Sequence, residues 1–422
     1  MLPTTLAIIG SLIQIQTPML SATQAQPLTQ EEAVRTALER NPRIRALAYD
    51  IQSAERGVAG ARAFANPEIT FAPGFSRAGS DEELRISQPL EINGLRSARI
   101  GVAQAKERLS RAAALSELRE FVFTVKKAHT LAARAKDRLA LAEDVARSTQ
   151  ELHRVAQRQV ELGNRPGVER SQANIEGLRA AQQATLAKAE YESAQAALGT
   201  LLAKQAGKPF AVAQLGYIAI PSPTTEELTN QALLNRSEVT ASIAAREAHR
   251  QEARLARAEG IPDVSPHFRA DSVTRSPHNS GFGVSISIPL IDYGSRRNRI
   301  AQAETAAKAE EQRHLAVQQN VRLEVAQAIS RLQAADEVVK SFQGGMLDEA
   351  LKLRDATLAG FSLGQGTLTT VLEAQRTYRA VQSEYIEALA SYNDAVAQLE
   401  FATGAVPATV LDQIKAREEK RG

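Results

Sequence analysis

The chain is 422 residues long, has no Cys or Trp, and sets 51 Lys and Arg against 48 Asp and Glu for a net charge of +3. The interspersed charges argue against a nucleic-acid footprint, and the absence of Cys excludes disulfides, thiol chemistry and an N-terminal lipidated Cys. No run of about eighteen apolar residues occurs, so no transmembrane helix is expected, and a sequence rich in Ala with few aromatics suits close helix–helix packing better than a thick globular core.

The chain opens on an apolar stretch at 6–15, the length of a signal core, with Thr23-Gln24-Ala25 as a cleavage site, although no Lys or Arg precedes Arg35. Residues 1–25 are read as a signal peptide. Thr29-Gln30-Glu31-Glu32 then spells a capping box, and Thr224-Thr225-Glu226-Glu227 repeats it. Asn41-Pro42 breaks a first short helix, because proline restricts the residue before it, and a second helix runs to about Ala65. A β-hairpin over 66–91 follows. Ile69, Phe71 and Phe75 alternate with Glu68 and Thr70, and Leu84 and Ile86 alternate with Glu83, Arg85 and Ser87.

The hairpin ends in residues 86–100, ISQPLEINGLRSARI, and residues 286–300, ISIPLIDYGSRRNRI, say it again with eight of fifteen positions identical. The chain is therefore a tandem duplication whose unit turns on one strand-to-helix joint, marked by Pro89 and Gly94 in one copy and Pro289 and Gly294 in the other. From Arg96 to Leu162 there is no proline, and Gly101 is the one glycine. At ~1.5 Å per residue such a helix is on the order of 100 Å long and calls for coiled-coil packing. Gly163-Asn164-Arg165-Pro166-Gly167 turns the chain sharply, and a returning helix completes a long helical hairpin over 96–202. The first repeat thus covers 26–203, a linker 204–223, the second repeat 224–404, and a charged tail 405–422.

The second repeat follows the same plan. Its hairpin, 263–291, places Phe282, Val284, Ile286 and Ile288 on one face against Gly281, Gly283, Ser285 and Ser287, with Val264, Phe268 and Ala270 alternating on the strand before. Its helical hairpin, 296–403, has Gly344-Gly345 and Gly360 as weak points and turns at Gly364-Gln365-Gly366. Leu162-Gly163 answers Leu363-Gly364, and Tyr191 answers Tyr392.

Four strands cannot close a barrel, and lipid cannot satisfy bare sheet edges. Three chains would supply twelve, enough for an aqueous lumen. If the hairpins face lipid, the chain forms an oligomeric, strand-capped helical tube. If they do not, it is a soluble coiled-coil scaffold whose hairpins pack on a small core.

The two joints, and FSLGQGTLTTVLEAQ at 361–375, resemble the TolC-like outer-membrane factor family across nearly the whole chain after the leader. The resemblance implies a mainly α fold with a small β part: duplicated helical hairpins forming a periplasmic barrel, and four strands per chain contributing to a trimeric 12-stranded outer-membrane barrel. It implies a homotrimer in the bacterial outer membrane, docked on a periplasmic adaptor and an inner-membrane pump of the RND type. The wording of the first joint, with NPEITF upstream, is most similar to the heavy-metal resistance branch. The activity implied is passive efflux, with metal cations as cargo; a duct for protein secretion is the alternative.

On these grounds the adaptor would meet the tips Leu162, Gly163, Leu363 and Gly364. Their glycines also permit the left-handed backbone that a tight helix connection needs. Glu373 matches an acidic gate position of the family, and Glu169 lies at a nearby level in the first half; rings of three such acids would favour cations. Phe71, Leu84, Ile86, Phe268, Phe282, Val284, Ile286 and Ile288 would face lipid. Arg96, Arg99, Arg296 and Arg299 open the long helices against the dipole, pointing to a partner, a headgroup or plain solvation. No catalytic arrangement, cofactor motif or metal cluster is visible, and the six His are scattered.

Overall fold

The computed structural model describes residues 27–76, 79–92, 94–204, 210–220, 224–271, 279–288 and 293–404. The expected leader, Pro289, the tail and parts of the linker and hairpin turns lie outside the described residues.

Each half begins with a capped helix pair. Thr29 caps α1 (Gln30–Arg40), accepting from the Glu32 N–H at 3.3 Å while the Glu32 carboxylate accepts from the Thr29 N–H at 3.2 Å. Thr224 and Glu227 do the same for α5 (Thr225–Asn235) at the same distances. Asn41 then caps α2 (Pro42–Arg62), with Pro42 at a first-turn position that has no N–H to satisfy. The corresponding helix of the second half is α6 (Ser237–Ala258).

The four strands β1 (Glu68–Ser76), β2 (Gly79–Ser87), β3 (Asp263–Asp271) and β4 (Asn279–Ser287) form one antiparallel sheet in the order β1-β2-β3-β4. The two hairpins, nearly two hundred residues apart, meet through β2 and β3, where Ile86 pairs with Phe268 and Leu84 with Ala270.

Below the sheet the helices form a wall. The 67-residue α3 (Leu95–Glu161) packs against α2 and α6 on the sheet side, and against α4 (Gly167–Leu201) and α9 (Leu368–Thr403) toward the far end. α7 (Ser295–Ser341) packs on α6 and α9, and α8 (Leu347–Ser362) on α9. The short helices stack end to end. The Asn41 side-chain amide donates to the Leu201 carbonyl at 2.9 Å, so α2 starts where α4 stops. A Cβ on Gly404 would lie 3.2 Å from the Arg236 nitrogen, so α6 starts where α9 stops. In each pair a helix C-terminus meets a helix N-terminus, which aligns the two dipoles favourably.

The second long helix is interrupted. From Ser295 to Ser362, 47 residues of α7, 5 of a π turn at Phe342–Met346 and 16 of α8 make a run one residue longer than the 67 of α3. Gly345 in that turn has φ 122°, outside the helical region. A π turn houses one extra residue in a helix, so the surplus of the second half is absorbed at Gly344-Gly345.

A belt wraps the junction of the stacked helices. Leu28 bridges Val212, burying Val212 with Ala33, Leu38, Phe121, Val125 and Leu198. Tyr217 donates to Asp336 Oδ1 at 2.7 Å and Tyr392 to the Ile218 carbonyl at 2.6 Å. Beside it Arg119 on α3 is 5 % exposed and reaches Ser237, Glu238 and the Phe401 carbonyl, while Arg236 binds Glu238 and Glu324. This buried network ties α3, α6, α7 and the end of α9 together. Burial alone would raise the Glu238 carboxyl, but hydrogen bonds and charge from Arg236 and Arg119 outweigh it and hold the group below the usual carboxylate range.

Candidate functional site

The sheet has two unlike faces. Cross-strand register puts Ile69, Ile86, Phe268 and Phe282 in one row, with Phe71, Leu84 and Ala270 in the next on the same face. Val284 and Ile286 extend that face along β4, and Ile288 lies just beyond the strand. Nothing among the described residues covers it: Phe282 is 91 % exposed and Ile69 70 %, with Phe71, Ile86, Val284, Ile286 and Ile288 also exposed; Leu84 and Phe268 are half-buried. The opposite face carries Thr70, Arg85 and Arg269 in one row and Ser87, His267 and Gly283 in the next. There Glu83 accepts from Arg85 at 2.9 Å and lies 3.6 Å from Arg269. The His267 ring lies over Gly283, where a Cβ would come within 2.9 Å of it. Exposed apolar area of this extent, backed by a paired polar face, marks an interaction surface rather than one side of a packed core.

At the first joint the strand pairing runs past the proline. The Gln88 N–H donates to the Pro266 carbonyl at 3.0 Å and the Leu90 N–H to the Val264 carbonyl at 3.1 Å, so contact with β3 continues past Pro89. Successive residues of a strand point their N–H groups to opposite sides, and Pro89 takes the position turned away from β3. Gly94 (φ 79°) and Gly294 (φ 83°) then start α3 and α7.

The duplicated arginines brace the short helices that end beside them. Arg96 donates to the Arg62 carbonyl, and Arg99 to the carbonyls of Ala61 and Ala63, so both cap the negative end of α2. Arg99 also grips Glu91. In the second half Arg299 pairs with Glu259 at 2.7 Å and Arg296 lies against Gly260 at the end of α6. Sequence reasoning missed this. The readable signal was the shared Arg-x-x-Arg spacing in both copies, one helical turn, beginning two residues after the joint glycine.

At the other end the two helical hairpins finish in matching turns. Gly163 (φ 73°) donates to the Val160 carbonyl and Asn164 to that of Gln159; Gly364 (φ 81°) donates to Phe361 and Gln365 to Gly360. Both are Schellman closures, which need a residue free to adopt positive φ. Leu162 is 61 % and Leu363 76 % exposed, and nothing lies within 4 Å of where a Cβ on either glycine would be. The turns are joined by Arg165, which donates to the Gly366 carbonyl at 2.6 Å and the Gly364 carbonyl at 3.2 Å and lies over the buried Phe361 ring. Glu169 is 3.7 Å from Arg165 and half-buried, whereas Glu373 is exposed on α9. Arg165 was not singled out from sequence. Its mark there is a lone charge in a turn whose counterpart, Gly366, has none.

Among the described residues there is no group of three or more His, Asp or Glu able to hold a metal ion, and no helix is long and apolar enough to cross a membrane. A duplicated helical wall, a sheet with one bare apolar face and a pair of exposed turns at the far end define a membrane-inserted conduit. The chain belongs to the outer membrane efflux protein family, whose model matches residues 33–204 and 228–405, one match per half. It is 27 % identical over 376 residues to the cobalt-zinc-cadmium resistance protein CzcC of Cupriavidus metallidurans, covering 88 % of this chain and 89 % of that protein. It is 23 % identical over 401 residues to the outer membrane protein TolC of Vibrio cholerae, covering 88 % and 90 %. The fold is shared with CusC (TM-score 0.75, 19 % identity, 91 % and 94 % covered) and with the open state of the outer membrane channel MtrE of Neisseria gonorrhoeae (TM-score 0.74, 17 % identity, 90 % and 89 % covered). The protein is thus an outer-membrane efflux channel of the kind that works with a periplasmic adaptor and an inner-membrane pump, and not an enzyme.

Proposed function

We propose that three copies close one barrel and one helical tube, forming a passive exit for divalent metal cations driven by an RND-type pump. The observation that carries the assembly is the uncovered apolar sheet face flanked by two unpaired edges, β1 and β4. The strands alternate in direction, so β4 of one copy beside β1 of the next keeps the whole barrel antiparallel. Two copies would give about eight strands and a filled interior; three give twelve and an open lumen. Exposed Ile175, Leu178 and Leu186 on α4, and Leu315 and Leu323 on α7, supply apolar contacts between copies in the tube.

In this assembly Leu162, Gly163, Leu363 and Gly364 meet the adaptor through two apolar knobs and open backbone. Glu373 is the acid available to a threefold gate ring, since Glu169 shares its charge with Arg165. Opening follows when the adaptor binds the spread arrangement of the tips better than the closed one. Metal cargo rests on the likeness to the cobalt-zinc-cadmium resistance protein. Detergent extraction followed by light scattering should give three times the chain mass; a water-soluble monomer without detergent would sink the tube. Loss of the gene should sensitise cells to cobalt, zinc and cadmium, and unchanged metal sensitivity with secretion lost instead would transfer the cargo to protein.

A further inference from the structure

A cavity of about 740 Å³ opens between α3 and α6, closed below by Asn235 and Gly404, on the side of the wall where α5 lies. Four arginines line it, Arg108, Arg111, Arg119 and Arg246, against one acid, Glu247. Arg119 is anchored by Glu238, Ser237 and the Phe401 carbonyl, which leaves its Nε buried without a hydrogen-bond partner. Arg111 is held by Glu55 and Glu107, and Arg246 stands 3.9 Å from Glu311. Arg108 is exposed and has no ion pair among the described residues. Between these cations lie two apolar side chains that nothing covers, Leu115 at 40 % and Ile243 at 45 % exposed, over a floor of buried Ala112 and Ala244.

We propose that this cavity binds an amphiphilic carboxylate, an anionic head on the guanidinium rim and a short apolar body on Leu115 and Ile243. A guanidinium fork matches a carboxylate in geometry and charge, and the apolar pair gives a reason for a body beyond the head. The volume lies in the range of small-ligand sites, ~300–1,000 Å³. Lipid of the bilayer is not the source: Arg108 and Arg119 follow Leu95 by 13 and 24 residues along α3, about 20 and 36 Å from the joint at ~1.5 Å per residue. The ligand comes from the aqueous side, and its binding does not require conduction.

The test uses the full chain, purified and transferred to nanodiscs of zwitterionic lipid, titrated by calorimetry with octanoate, octylammonium and acetate. Octanoate should bind, with octylammonium and acetate each far weaker. Arg108→Gln, a change at an exposed and unpaired side chain, and Leu115→Ser should each weaken octanoate by roughly tenfold. Equal binding of octylammonium and octanoate, or unchanged affinity in both variants, would overturn the proposal. Because the readout is binding to purified protein, failure here leaves the channel reading intact, and a failed channel assay leaves this result standing.

Discussion

Deleting Gly345 should stabilise the protein, although it removes a residue from the middle of a long helix. The π turn at Phe342–Met346 exists because the second half carries one residue more than the first between joint and tip. Without that residue the α-helical pattern can run through, regaining a backbone hydrogen bond of regular geometry, worth about 0.5–1.5 kcal/mol net. The chain is also spared the ordering of a glycine, about 0.5–1 kcal/mol relative to Ala. The expected gain is ~1–2.5 kcal/mol per chain. Gly345→Ala should do the opposite. Its φ of 122° admits an L side chain only with strain, about 1–3 kcal/mol. Nothing lies within 4 Å of the added Cβ, so packing cannot be the cause. Guanidinium midpoints read by circular dichroism on detergent-solubilised protein should rank deletion above wild type and wild type above Gly345→Ala. A deletion less stable than wild type would refute the reasoning, because the surplus residue would then not be housed in this turn.

Ala should act oppositely at Gly60, inside the last turn of α2, and at Gly260, just past the end of α6. At Gly60 nothing meets the new Cβ and helix propensity gains about 0.5–1 kcal/mol; at Gly260 the Cβ would fall on the Arg296 guanidinium, so that flexible side chain must swing away from the end of α6, at a loss of about 0.5–1 kcal/mol in the same denaturation assay. Arg119→Met should cost about 3–5 kcal/mol by stripping a cation from the buried network, and adding Glu238→Gln should recover part of the lost midpoint. His129 donates from Nε2 to the Leu28 carbonyl, and burial pushes its imidazole below the ordinary value of 6.5. The unfolded chain therefore takes up a proton first, so stability should fall as pH drops below about 6.5, levelling off beneath the folded value; a His129→Asn variant whose midpoint keeps the same pH slope would remove His129 as the cause. Arg165→Ala frees two tip carbonyls, a loss of about 1.5 kcal/mol or more for charge-assisted bonds, and limited proteolysis should cut the tip turns faster.

Much of the architecture was legible because duplication doubles every signal. Two capping boxes, two joints and two glycine turns in the same order left little freedom in the arrangement of elements, and period-two alternation on β4 named the apolar face from the sequence itself. Contacts between segments distant in the chain were not legible. Arg96 and Arg99 looked like cations opposing their own helix dipole; they in fact complete the end of a different helix, and no local pattern states which helix ends beside which. The π turn was half-visible as Gly344-Gly345. Seeing it required noticing that the repeat spacing is 200 at the joints, Gly94 to Gly294, and 201 at the tips, Gly163 to Gly364. Arg165 was hidden for a related reason: a bond to the carbonyl of Gly366 depends on backbone position, which leaves no trace in residue type.

The two halves agree in strand length and at the joints, although 272–278 between β3 and β4 is five residues longer than 77–78 between β1 and β2, and they part again toward the tips. At the joints Gly94 and Gly294 have the same conformation, and both arginine pairs brace a short helix. Toward the tip the first long helix is unbroken, while the second has a π turn and open glycines about twenty residues from its end. At the tip one turn supplies Arg165 and the other only carbonyls to receive it. A barrel needs equivalent strands, because every edge must pair with the next in the same register, so divergence near the sheet would cost closure. No such demand acts at the tips, where alternating unlike hairpins leave every second one free to bend at its π turn. In the proposed trimer the sheet end would thus keep sixfold-like regularity and the tip end would have only threefold, so the gate we propose belongs at the end where the helices differ.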